Sequence, residues 1–169
     1  MKTRKKSLRI LITEKCNLDC SYCCNKLERV KKKFKYKTIS EIDFSQYSAV
    51  SITGGEPMLN CRALGYVKSK CNAMKIPVYL YTNGLLLWDT FVFSDFKGIT
   101  IGIHREWQMK QILNEIPNIL SKKKIRFSVE DIHRDEYLPN IPDKYIKTFV
   151  MNDCFKQFDS EDIIVLKEL

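Results

Sequence analysis

The sequence predicts an α/β fold, an open partial (β/α)6 barrel with mainly parallel strands, and three observations predict it. Six short runs rich in Val, Ile, Thr, Tyr and Phe alternate with polar or amphipathic stretches, the pattern of βα units on a parallel sheet. The chain has 169 residues, well short of the roughly 250 that a closed eight-stranded barrel takes. The polar signatures follow the ends of the runs, where functional residues of parallel α/β folds collect.

The runs are SLRILIT (7–13), AVSITGG (49–55), PVYLYTNG (77–84), GITIGIH (98–104), IRFSVED (125–131) and KTFVMND (147–153). Between the first two, NKLERVKKKFKYK reads as a long loop and only Ser40 to Tyr47 as helical. After the second run, Leu64, Val67, Cys71 and Met74 form an apolar stripe at helical spacing. After the fourth, Met109, Ile112, Leu113, Ile116, Ile119 and Leu120 form the strongest such stripe, with Pro117 expected to kink or split the helix. Pro139 and Pro142 leave little room for a helix before the sixth run. The closing EDIIVLKEL fits a seventh strand or a terminal helix equally well. No repeat, Gly/Ser linker or low-complexity segment marks a boundary, so residues 1–169 read as one domain.

Hydrophobic residues at 44% and charged ones at 29% are globular proportions, which argues against disorder. Seven cysteines, an odd number, do not make a disulfide scaffold at this length. The first apolar stretch, Leu8 to Ile12, is too short for a signal peptide, and no run approaches a membrane span. A cytoplasmic protein in a reducing compartment, with no membrane partner, is the expectation. The formal charge of +9 favours encounter with anions: nucleotides, nucleic acid or an acidic protein surface. A nucleic-acid partner rests on charge alone.

The chemistry concentrates in CNLDCSYC, which places Cys16, Cys20 and Cys23 together. Thiolates at such spacing converge on a metal or cluster. Three of them on four irons leave one iron open for chemistry. The alternative is structural zinc, with Cys24, Cys61, Cys71 or Cys154 as fourth ligand and no catalysis. Gly54-Gly55-Glu56-Pro57 follows the second run, Thr82-Asn83-Gly84 the third and His104-Arg105 the fourth. Alone, the first of these is an ordinary strand-to-helix turn and the second a common turn signal. His104 could touch a ribose or substrate from the fourth strand but reads first as a local structural or surface residue, and His133 offers less. Cys61 and Cys71 read as small buried residues on their helical stripe.

Together the CxxxCxΦC loop after the first strand and the GGEP turn after the second resemble the radical S-adenosylmethionine (SAM) enzymes, across nearly the whole chain. The resemblance implies a 4Fe–4S cluster on Cys16, Cys20 and Cys23, with SAM chelated to the open iron. It implies SAM contacts at Tyr22, whose backbone would help hold the adenine, at Gly54 and Gly55 beside the methionine part, at Glu56 toward the amino group, at Pro57 as a stiffener, and at Asn83. It implies reductive cleavage of SAM to a 5′-deoxyadenosyl radical that abstracts a hydrogen atom, and an electron donor such as flavodoxin or ferredoxin. The GxIxGxxE pattern often found around the family's fifth strand is absent from IRFSVEDIH, so adenine contacts there stay unassigned. No later cysteine cluster follows, so an auxiliary Fe–S domain is not expected.

Two kinds of target fit within that resemblance. One is an anionic or nucleotide-like small molecule, favoured by the basic segment Lys31, Lys32, Lys33, Lys35 and Lys37 with Phe34 and Tyr36 interleaved. The other is a partner protein, as in glycyl-radical activases, favoured by small size. The 7-carboxy-7-deazaguanine synthases share the short core, but Cys24-Asn25 stands where they usually carry Asp-Thr.

Overall fold

The computed structural model describes residues 6–21, 23–88, 93–122, 124–150 and 160–167. Among these, eight strands form one all-parallel sheet: β1 (Lys6–Leu11), β2 (Phe34–Lys37), β3 (Tyr47–Thr53), β4 (Val78–Thr82), β5 (Gly98–Ile103), β6 (Ile125–Glu130), β7 (Ile146–Phe149) and β8 (Glu161–Leu166). Their order is β2-β8-β1-β3-β4-β5-β6-β7, open at β2 and β7. The six expected strands therefore lie consecutively, β1-β3-β4-β5-β6-β7, as an open barrel wall. Two more extend that wall beyond β1.

Alternation along the strands separates two faces. Val78 and Leu80, Ile99, Ile101 and Ile103, and Ile125, Phe127 and Val129 turn to one side and are buried. The helices close over that side. In α2 (Cys61–Ala73), Leu64, Val67 and Cys71 are buried in the main core, and in α3 (Glu106–Glu115) Met109 and Ile112 are. Each such side chain taken from water contributes about 1.5–3 kcal/mol, so this layer holds the sheet in place. Arg9, Tyr81, Thr100, Gly102 and Ser128, at the alternate positions, face a cavity instead.

The structure corrects several local expectations. Residues 25–37 are not a long loop: they hold the one-turn α1 (Glu28–Lys31) and the edge strand β2. Apolar side chains decide this, because Val30 and Phe34 pack with Leu11, Ile163 and Val165 in a second small core. The helix expected from Ser40 to Tyr47 is two 3-10 turns, Ile39–Glu41 and Phe44–Gln46, and Asp43 caps the second by accepting from the Ser45 amide at 3.0 Å. EDIIVLKEL resolves as strand β8. Its burial is continuous from Ile163 to Leu166, as a strand covered on both faces requires. α3 ends before Pro117 and resumes as the 3-10 turn Ile119–Ser121, as that proline dictates. Before β7 only a one-turn helix, α4 (Arg134–Tyr137), and the 3-10 turn Asp143–Tyr145 fit around the prolines. Cys61 is exposed rather than buried, whereas Cys71 is buried and its thiol is pushed up to about 12 by that burial. Among the described residues no helix is long and apolar enough to cross a membrane.

Candidate functional site

Backbone pairing continues past the ends of β1 and β3 and carries the two leading motifs together. The Ile12 amide donates to the Thr53 carbonyl at 3.0 Å, Gly55 to Thr13 at 2.8 Å and Glu56 to Lys15 at 2.8 Å. Cys16 thus leaves this ladder directly beside Gly54-Gly55. The approach needs glycine: a Cβ on Gly55 would lie 2.1 Å from the Lys15 carbonyl oxygen.

Cys16, Cys20, Cys23, Gly54, Gly55 and Asn83 line one cavity of about 510 Å³. Burial raises the Cys16 thiol, opposed by a hydrogen bond from the Leu18 amide, with Glu56 and Cys23 adding to the rise. Burial also raises Cys20, with Cys23 next in effect. The thiols are near enough to feel one another's charge. Among the described residues, no three His, Cys, Asp or Glu side chains are placed to hold a single metal ion.

Hydrogen bonds brace the cysteine segment from three sides. Asn83 donates to the Asn17 side chain at 2.7 Å, Asn25 donates to the Gly54 carbonyl at 2.6 Å, and Arg105 donates to the Asp19 carbonyl at 3.1 Å. An ion pair joins Lys26 to Asp19. Strands β1, β3, β4 and β5 thereby each grip one loop.

Glu56 is placed differently from the expectation. It is fully buried and does not line the cavity. Its carboxylate accepts from the Met58 amide at 3.0 Å, the Thr82 hydroxyl at 2.7 Å and the Asn83 amide at 2.7 Å. Burial raises its carboxyl, and the same three donors pull it back down. Glu56 clamps the TNG turn and so aims Asn83. Pro57 is likewise buried, at the first position of the 3-10 turn Pro57–Asn60 that Glu56 caps. Tyr22 and Cys154 lie outside the described residues. None of Lys31, Lys32, Lys33, Lys35 or Lys37 lines the cavity. Lys31 pairs with Glu28 and Lys35 with Asp162, so the basic segment belongs to the outer edge around β2.

Several lining residues went unnoticed in the sequence: Arg9, Asn25, Tyr81, Thr100, Ser128, Lys147 and Thr148. The signal for the strand members was a polar residue at alternate positions of an otherwise apolar run. Gln108 was missed too. It is fully buried, donates to the Asn83 and Gly102 carbonyls, and accepts from the His104 amide at 2.9 Å. A polar side chain four residues before Ile112 and eight before Ile116, on the buried face, was its mark.

His104 lines the cavity rather than the surface. Burial lowers it to about 4, with Arg105 assisting. A folded value below the unfolded one, near 6.5, contributes stability that is complete above that value and lost as pH falls toward 4. The loss is on the order of 3 kcal/mol. Urea midpoints at pH 7 and pH 4.5 should therefore move closer together in His104→Gln than in the parent protein.

No family model matches the chain. GTP 3′,8-cyclase of Clostridium perfringens is 30% identical over 178 aligned positions, covering 96% of this chain and 50% of that protein. An uncharacterized protein of Methanocaldococcus jannaschii is 27% identical, covering 95% of this chain and 52% of that one. The chain thus spans about half the length of these curated relatives. Among solved structures, Streptococcus suis SuiB bound to S-adenosylmethionine superposes with a TM-score of 0.39 at 16% identity, over 94% of this chain and 47% of that one, too shallow a likeness to bear on the site.

Proposed function

The chain belongs to the radical SAM family, and on that footing we propose that it binds a 4Fe–4S cluster through Cys16, Cys20 and Cys23 and uses SAM to take a hydrogen atom from a substrate. One observation supports this above the rest: the three thiols and the Gly54-Gly55 turn, 31 or more positions apart in sequence, line a single cavity at the ends of the strands. Bound there, cluster and SAM together supply reductive cleavage of the sulfonium to methionine and a 5′-deoxyadenosyl radical.

The chain's own residues do the holding. Gly54 and Gly55 leave room for the amino-acid part of SAM against bare backbone. Asn83, aimed by Glu56 through the Thr82 hydroxyl and its own amide, presents a side-chain amide to the same space. Gln108 locks the β4 and β5 loops together, so that the pocket keeps its shape as ligands come and go. Tyr22 keeps the adenine role that the motif assigns it. The electron is proposed to arrive from an acidic carrier of flavodoxin or ferredoxin type, which a charge of +9 would attract.

Anaerobic reconstitution tests the proposal. About four irons and four sulfides per chain, with 5′-deoxyadenosine released from SAM on reduction, are expected. Zinc bound in their place, with SAM left intact, would overturn it in favour of a non-catalytic metal module.

A further inference from the structure

Among the described residues no carboxylate lines the cavity, and its two permanently charged side chains, Arg9 and Lys147, are cations. Their situations differ. Arg9 is matched within the barrel: Nε donates to Glu161 at 2.7 Å, and the guanidinium sits 4.9 Å from the Tyr81 ring centre. Lys147 has no carboxylate partner among the described residues. It stands on the edge strand β7, in register with Ser128 on β6, which is in register with Gly102 on β5. Thr100 lies two residues deeper on β5, roughly 7 Å away along the strand. Gly102 supplies no side chain, and the His104 ring leans over the gap: a Cβ at Gly102 would meet Nε2 at 2.6 Å.

This row is therefore an ammonium and hydroxyls grouped around an imidazole that burial keeps neutral, with no competing anion among the described residues. It is also remote from the cysteines. From β3, which carries Gly54-Gly55, to β7 is four strand spacings, about 19 Å along the curve of the sheet. A SAM carboxylate held at the cysteine side does not reach across that span to Lys147.

We propose that Lys147, with Ser128 and Thr100, forms the substrate subsite of this cavity and takes an oxyanion, a carboxylate or a phosphate. The proposal rests on the reading that the cysteine side holds cluster and SAM, but it is measured separately. Calorimetric titration of the reconstituted protein with inorganic phosphate and with acetate, at low and moderate salt, is the test. At least one of the two should bind. Lys147→Ala should weaken it about tenfold, the worth of one charge-assisted hydrogen bond, while Lys147→Arg keeps most of the affinity. Preference for phosphate would point to a phosphorylated or nucleotide substrate, and preference for acetate to a carboxylate one.

SAM affinity and iron content, followed in parallel, should be the same in Lys147→Ala as in the parent. Binding of neither anion, equal binding by parent and Lys147→Ala, or a matching loss of SAM affinity would each overturn the proposal. A parent protein that takes up no iron but still shows Lys147-dependent anion binding would fail the function reading while sparing this subsite.

Discussion

Cys20→Ala protein, reconstituted without oxygen, should keep its fold and lose nearly all of its iron. The fold survives because Cys20 belongs to neither apolar core: one is built on the strand face under α2 and α3, the other on Leu11, Val30, Ile163 and Val165. The iron does not survive, because two thiolates cannot hold a cubane that three already leave one ligand short. Loss of a group that merely orients a ligand costs about 10–100-fold in metal affinity, and loss of the ligand itself should exceed that. Cys16→Ala and Cys23→Ala should behave alike, whereas Cys61→Ala, exposed on the outer helix α2, should load iron as the parent does. Iron and sulfide content per chain, read beside a thermal melt, checks the set. Full iron in any one of the three variants would break the assignment.

Gly55→Ala should be the most destabilising single methyl group in the chain. The added carbon would sit 2.1 Å from the Lys15 oxygen, 2.5 Å from the Lys15 carbonyl carbon and 2.7 Å from the Glu14 oxygen. All three are backbone atoms, so no rotamer change relieves the overlap. The strands' extensions must part, straining the Gly55–Thr13 and Glu56–Lys15 hydrogen bonds together. Overpacking of about 1–3 kcal/mol and about 1 kcal/mol for each weakened bond place the cost at roughly 3 kcal/mol or more. Gly65→Ala is the matched control. Gly65 lies inside α2 with nothing within 4 Å of where a methyl group would stand, so alanine there should stabilise by about 0.5–1 kcal/mol. Urea unfolding of the two variants should thus give shifts of opposite sign. A Gly55→Ala midpoint equal to the parent's would show that the two motifs do not touch as described.

The barrel wall was legible because period-two alternation is a strong signal, and β4, β5 and β6 display it without interruption. β2 was not legible. Four residues, FKYK, alternate aromatic with lysine and read as a charged loop until Ile163 and Val165, far along the chain, supply the surface that Phe34 packs against. β8 was ambiguous for the converse reason: covered on both faces, it has no alternation to read. At the site, the cysteines and glycines stood out because their chemistry is unusual at that spacing. The role of Glu56 did not, since a carboxylate beside a predicted cofactor looks like a ligand contact whether it faces the cofactor or the backbone behind it. Only the three donors around it decide. Gln108 and Asn25 were hidden for a related reason: an amide side chain gains meaning from the carbonyl it reaches.

The place of β8 between β1 and β2 sets an order of assembly. Among the described residues β2 has β8 as its sole strand neighbour, and β8 is drawn from residues more than a hundred positions downstream. A nascent polypeptide whose residues 161–166 are still inside the ribosome can form most of the wall but cannot secure the return limb of its cysteine-bearing excursion. Contacts that distant in sequence form late. Ordering of the cysteine-bearing segment against the wall accordingly waits until residues 161–166 have emerged.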